Sequence, residues 1–193
     1  YSGSTLHDYL EGVSQKRIKP SQKPQYVDMI PRKFKGKVRE LLRKTDERGT
    51  LKEITEKLDI EGILERNIEE LSGGELQRVA LAACIAKEAD FYFIDEISPY
   101  LDIYQRIRSA QIIRELAETK AVMVVEHDLA ILDLLADIVH VAYGTPGGYG
   151  VITHPKVVRL VIVGAANDVT ASALLQKPIR PALVMLPSVT SKY

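Results

Sequence analysis

Three stretches of this 193-residue chain place residues able to work on a phosphate at the borders of apolar runs. FYFIDE, residues 91–96, is apolar until it stops on Asp95 and Glu96. AVMVVEH, residues 121–127, is apolar until it stops on a glutamate and His127. LSGGELQR, residues 71–78, sets Ser72, Gly73, Gly74 and Glu75 ahead of a helix-forming run. An Asp at the carboxyl end of a buried strand offers the hard oxygen ligand that Mg²⁺ prefers. A second acid beside it can polarise a water for attack on phosphorus. A His at the neighbouring strand end can donate to a terminal phosphate oxygen. Each has a plainer reading: two solvated or capping acids, a His that caps the helix beginning at Asp128, and a capping box in which Ser72 and Glu75 satisfy each other's backbone. The capping box does not account for Gly73 and Gly74. A glycine inside a helix costs about 1 kcal/mol relative to alanine. Two of them are expected where a bulky anion must approach the backbone N–H groups closely.

The elements that would carry these residues follow from periodicity. FYFID (91–95) and AVMVVEH (121–127) are short apolar runs, as expected for strands buried on both faces. The spacing predicts helices over 75–87, with Leu76, Val79, Ala80 and Ala83 on one face, and over 103–119, with Ile103, Ile107, Ala110 and Leu116 inward. DLAILDLLADI reads as a helix and VHVAYG as a third strand, followed by the turn cluster Gly144, Pro146, Gly147, Gly148 and Gly150. Strand and helix alternate, which predicts an α/β layer with a mostly parallel sheet, its strand ends gathered at one edge. Upstream, Tyr26 and Val27 read as the edge of a strand that ends in a turn. LKEITEKLDI and EGILERN read as two short amphipathic helices of a small helical subdomain. From Lys156 on, VVRLVIVGAA looks like a strand, and QKPIRPALVMLPSVTSKY shows three prolines and no helical period.

Composition sets limits. Nearly half the residues are apolar, about a quarter are charged, and the formal net charge is zero, so global charge does not point to nucleic acid. Residues 32–44 carry seven Lys or Arg against one Glu, a basic stretch with only Phe34 for stacking. A solvated face is expected there rather than an RNA contact. The one cysteine, Cys84, excludes an intrachain disulfide and reads as a core residue of the helix expected over 75–87. No apolar run reaches the ~20 residues needed to span a bilayer, and YSGSTLHDYLEG has no secretory character. A soluble, cytoplasmic protein is expected. A chain opening on Tyr1 rather than Met reads as a fragment.

LSGGELQR, FYFIDE, SPYLD and VVEHD, in this order and spacing, resemble the second half of an ABC-type ATPase domain: signature motif, Walker B, D-loop and switch histidine. The flanks KPQYVD, KGKVRELL, DERG, YLD-x-x-QR and VVEHDLAILDLLADIVHVAYGTPGGYGV resemble the first nucleotide-binding domain of the ABC-E family, the ribosome-recycling ATPases also called ribonuclease L inhibitors. The likeness runs from about residue 1 to about residue 156. It implies a partial ABC-type ATPase domain: residues 1–70 with the Q-loop region and helical subdomain, 71–155 with the α/β motifs, and 156–193 as a divergent tail.

The resemblance also implies residue roles. Glu96 is the general base, His127 the γ-phosphate contact, and Asp95 with Gln25 the Mg²⁺ holders. Gln25, Ser72, Gly73, Gly74, Glu75 and Asp102 are expected against nucleotide, the signature residues facing ATP held by a second ABC domain packed head to tail. ATP and Mg²⁺ are the implied cofactors, with iron–sulfur clusters only in a part of the family protein upstream of this chain. Partners are the second ATPase domain, the small ribosomal subunit and release factors, with no membrane; a direct RNA contact through 32–44 is left open. The implied activity is ATP hydrolysis that drives ribosome splitting and recycling. The alternatives are an ATPase subunit of a membrane transporter, disfavoured by the helical subdomain and YGTPGGYG, or an interaction fragment that hydrolyses nothing. Two departures from the family pattern stand out within the likeness. The only Gly-Lys pair, Gly36–Lys37, lies outside any G-x-x-x-x-G-K-[ST] run, so Walker A is not found, and Ile97 follows Glu96 where the family has proline.

Overall fold

The computed structural model describes residues 11–12, 14–15, 17–145, 149–157 and 181–185. One sheet organises them. β1 (Pro20–Lys23), β2 (Phe91–Asp95), β3 (Ala121–Glu126), β4 (Ile138–Thr145), β5 (Tyr149–Ile152), β6 (Lys156–Val157) and β7 (Pro181–Met185) lie in the order β1-β2-β3-β7-β4-β5, with β6 on β4. Pairings from β1 through β4 are parallel, and β5 and β6 run antiparallel to β4. Among the described residues, the α-helices that follow β1 are α1 (Ile30–Lys33), α2 (Val38–Thr45), α3 (Leu51–Lys57), α4 (Gly73–Ile85), α5 (Ile103–Leu116) and α6 (Leu129–Leu135).

The apolar runs became strands because their alternate residues are buried. Tyr92 and Ile94 are fully buried on one face of β2 while Phe91 and Phe93 on the other are half-buried, short of the two-sided cover expected; in β3 Val122 and Val124 are buried on one face and Val125 on the other. In parallel sheets such cover comes from the crossover helices on the faces. α4 is the central helix, and Leu76, Val79, Leu81 and Ala82 join one core with Val38 and Leu42 of α2, Ile54 and Leu58 of α3, and Ile131 and Leu132 of α6. Each such fully buried aliphatic side chain contributes about 1.5–3 kcal/mol. The helical stretch upstream of α4 thus shares the core of the sheet layer. α2 is also fastened by backbone: Val38 and Arg39 N–H donate to the carbonyls of Arg66 and Leu64.

Several expectations change. The first strand is Pro20–Lys23, not Tyr26–Val27: Pro24 has no N–H to extend a ladder, Tyr26 is exposed, and Val27, itself buried, opens a 3-10 turn. EGILERN forms a 3-10 turn at Glu61–Ile63 instead of a second helix. α4 begins two residues earlier than expected, at Gly73, because its cap is Ser72. Ile103 does not point inward; it is 64% exposed at the first turn of α5. In the stretch from Lys156, Lys156–Val157 and Pro181–Met185 are strands, and β7 lies between β3 and β4. Most of VVRLVIVGAA, and residues 146–148 of the glycine cluster, lie outside the described residues.

Candidate functional site

The parallel register delivers three strand ends to one edge. Lys23 pairs with Ile94 and Asp95 with Val125, so the residues that follow β1, β2 and β3 stand side by side. There the Glu96 Oε1 accepts from Gln25 Nε2 at 2.8 Å and lies 3.0 Å from His127 Nε2. Gln25, Glu96 and His127 therefore meet at one carboxylate oxygen, with Asp95 beside them. Glu96 has φ +48°, a left-handed conformation uncommon for a side chain of this size. Such positions cost of order 1–3 kcal/mol and persist where the surroundings hold them, often at functional sites.

Charge at this edge favours an incoming cation. The Asp95 carboxyl is pushed above its ordinary range, first by burial and then by the charge of Glu96, with Lys23 and His127 pulling the other way. Among the described residues no cluster of three or more acidic, His or Cys groups forms an all-protein metal cage. Mg²⁺ is held by one or two carboxylates plus phosphate oxygens. Asp95, with the Gln25 amide oxygen, would hold the ion.

Two further residues sit under these, unmarked in the sequence reading. Lys23 is 1% exposed, and its Nζ donates to the carbonyls of Pro24 (3.1 Å), Asp95 (2.9 Å) and Glu96 (2.7 Å). Burial lowers its pKa to about 8, against the opposing pull of Asp95, Cys84, Glu126 and Glu96. Glu126, 2% exposed, accepts from the N–H groups of Ile97 (3.0 Å) and Ser98 (3.2 Å) on one oxygen and of His127 (3.0 Å) and Asp128 (3.3 Å) on the other. A charged residue on the buried phase of a strand is the signal that marks both.

The signature residues form a second group. Ser72 caps α4: its Oγ accepts from the Glu75 N–H at 3.3 Å, and the Glu75 carboxylate accepts from the Ser72 N–H at 2.8 Å, completing the capping box. Although burial works to raise it, the Glu75 pKa ends below its ordinary value because Ser72 and Arg66 hold the charged form. Ser72, Gly73, Gly74 and Glu75 line a recess of about 400 Å³ with Arg78, Tyr100, Asp102 and Gln105. Asp102 itself caps α5, accepting from the Gln105 N–H at 2.8 Å. It stands with the signature group rather than with Asp95.

The two glycines have a reason inside the chain. A Cβ on Gly73 would come 2.8 Å from Tyr100 Cγ, and one on Gly74 would come 2.8 Å from the Tyr100 carbonyl oxygen. Close approach of the loop after β2, and not an anion alone, excludes a side chain at both. Tyr100 has φ +65°, and its ring is exposed. Arg106 fastens this loop to the loop after β3, donating to the Leu101 carbonyl (2.8 Å) and to Asp128 Oδ2 (2.7 Å).

The basic stretch 32–44 is largely engaged. Lys35 pairs with Glu69, Lys37 and Arg39 pair with Glu65, and Lys44 lies over the Phe34 ring. Cys84 is buried and accepts from Ser21 Oγ, and burial pushes its thiol up. No helix among the described residues is long and apolar enough to cross a membrane.

The ABC transporter family model matches residues 3–98. An uncharacterized ABC transporter ATP-binding protein of Methanocaldococcus jannaschii is 49% identical over 180 residues, 93% of this chain and 29% of the relative. That coverage reaches into the stretch after Lys156, where no family likeness was expected. Translation initiation factor RLI1 of Saccharomyces cerevisiae is 49% identical over 165 residues, 82% of this chain and 27% of the relative. A crystal structure of the complex of archaeal ribosomal stalk protein aP1 and archaeal ribosome recycling factor aABCE1 superposes with a TM-score of 0.78 at 55% identity, covering 81% of this chain and 31% of that one. The chain thus spans less than a third of the length of each of these three. Sharing their motifs, their fold and about half of their residues over most of its length, the chain belongs to the ABC-E family as part of an ABC-type ATPase domain.

Proposed function

We propose that the protein carrying this chain binds and hydrolyses ATP with Mg²⁺ at the edge built by Gln25, Asp95, Glu96 and His127, and that hydrolysis serves the separation of ribosomal subunits in recycling. The observation that carries the catalytic half is the meeting of Gln25 Nε2 and His127 Nε2 on one oxygen of Glu96. When bound, Mg²⁺ neutralises charge on the β- and γ-phosphates. Glu96 is the base: a water beside its carboxylate loses a proton to it as the oxygen attacks the γ-phosphorus in line and the bond to the β–γ bridging oxygen breaks, ADP leaving on the opposite side. The Gln25 amide orients that water and the carboxylate together. His127 donates to a γ-phosphate oxygen, in trade for its contact with Glu96. Gly73 and Gly74 offer N–H groups at the start of α4, worth roughly 0.3–1 kcal/mol to a nearby anion, to the nucleotide of a second ABC domain, while Ser72 and Glu75 hold that turn through the capping box. Asp102 orders the same recess by capping α5.

The ribosomal half is supported by the relatives, one of which is named a ribosome recycling factor and another a translation initiation factor. The small ribosomal subunit and release factors are the matching partners, the cytoplasm the matching compartment, and iron–sulfur clusters a matching feature of a neighbouring domain. With four of the seven cations of 32–44 engaged by Glu65, Glu69 and Phe34, RNA contact through that stretch is a minor contributor. The test is sedimentation of purified ribosomes with the intact protein and Mg·ATP. Subunits are expected to separate with ATP and not with the protein alone. Intact ribosomes under both conditions, in a preparation that hydrolyses ATP, would refute the ribosomal half and leave the catalytic half standing.

A further inference from the structure

The turn Asp95–Ser98 carries the proposed base, and its shape is imposed. Glu96 sits in the left-handed region at φ +48°, a conformation that costs an L-residue roughly 1–2 kcal/mol. A free turn would relax, and the carboxylate would swing away from Gln25 and His127. Two buried charged side chains prevent this. On one side the Lys23 ammonium spends its three donors on the carbonyls of Pro24, Asp95 and Glu96. On the other the Glu126 carboxylate takes the N–H groups of Ile97 and Ser98 on one oxygen and those of His127 and Asp128 on the other.

We propose that Lys23 and Glu126 are positioning residues that clamp the Asp95–Ser98 turn from opposite sides and so set the direction of the Glu96 carboxylate. Lys23 ties the turn to the end of β1, two residues before Gln25. Glu126 ties it to the end of β3, next to His127. The clamp therefore holds in register the three strand ends whose side chains meet at Glu96 Oε1. It also accounts for Ile97. Proline has no N–H, and at this position it would remove one of the two donors that Glu126 takes from the turn. Isoleucine supplies the donor and buries its side chain.

The inference rests on Glu96 as the base, so one arm of its test is independent of hydrolysis. In the intact protein, Glu126→Gln keeps the shape but turns an amide NH₂ toward N–H donors, and Lys23→Met leaves three carbonyls without their donor. The first readout is steady-state hydrolysis of Mg·ATP. Each variant is expected to lower kcat about 10–100-fold, the scale of a misplacement near 1 Å, with KM for Mg·ATP unchanged. Glu88→Gln, at an exposed ion pair with Lys120, is expected to leave kcat alone. The second readout, without nucleotide, is the ¹⁵N shift of the His127 ring. It is expected to move in both variants as the contact with Glu96 lengthens. If Lys23→Met fails to fold, Glu126→Gln decides alone. Folded Glu126→Gln with an unmoved His127 shift would overturn the clamp even if the wild type hydrolysed no ATP. So would an unchanged kcat in a protein that does.

Discussion

Substitution of Gly73 and Gly74 measures how tightly the signature turn is packed on the loop after β2. Alanine in place of glycine gains up to about 1 kcal/mol of helix propensity. Against this, the new Cβ would sit 2.8 Å from Tyr100 Cγ at position 73 and 2.8 Å from the Tyr100 carbonyl oxygen at position 74. Contacts this short force displacement, and overpacking of this kind costs about 1–3 kcal/mol. The net expectation is a loss of about 1 kcal/mol for each. The two are told apart by their partner atoms. Tyr100→Ala removes the ring that Gly73→Ala strikes but leaves the carbonyl that Gly74→Ala strikes. In the Tyr100→Ala background, where of these contacts only the Cβ of residue 100 at 3.2 Å remains, the cost of Gly73→Ala should fall to near zero, while Gly74→Ala should stay destabilising. Gly62→Ala is the control, since nothing lies within 4 Å of its Cβ position. It should stabilise by about 0.4–1 kcal/mol through the unfolded chain. The assay is urea unfolding followed by circular dichroism. Equal cost of Gly73→Ala with and without the Tyr100 ring would refute the packing argument and return the glycines to anion binding alone.

Asp95→Asn should raise the melting temperature of the nucleotide-free protein at pH 7. The folded-state pKa of Asp95 lies above its ordinary 3.8, so the folded protein carries an ionisation penalty that is complete well above that raised pKa. The advantage of Asn should fade as pH falls toward 3.8, and an advantage constant from pH 7 to pH 4 would contradict it. Arg106→Ala should destabilise by about 1–2 kcal/mol by releasing the Leu101 carbonyl and Asp128, measured by the same unfolding assay; no loss would show the two loops to be independent. The Cys84 thiol should react with a maleimide only as fast as the fold opens, because burial both hides it and disfavours the thiolate. Rapid labelling under native conditions would contradict its place in the core.

What the sequence disclosed is what is local. β2 and β3 were legible because each is an apolar run closed by acids, and the capping box was legible because Ser72 and Glu75 are three residues apart. β1 was hidden by its composition: PSQK has no apolar residue for its buried face, which holds Ser21 and Lys23 instead. Ile103 was assigned inward by helical period, yet the first turn of α5 overhangs the core beside the signature recess. The partner of Gly73 and Gly74 is Tyr100, distant in sequence, so their reason could not be read from the motif itself. Lys23 and Glu126 escaped for the same cause, because their partners belong to other strand ends that only the parallel register brings together.

The most direct test of the central claim is single-turnover hydrolysis of Mg·ATP by the intact protein with Glu96→Gln. Glutamine keeps the size and the contacts of the side chain but cannot take a proton. If the edge of Gln25, Asp95, Glu96 and His127 is the catalytic site, Mg·ATP binds as before and γ-phosphate release falls about 10²–10⁴-fold, the range for removal of a positioned base. Release at the wild-type rate, with binding intact, would show that this carboxylate is not the base and that the convergence of Gln25 and His127 on Glu96 serves the fold alone.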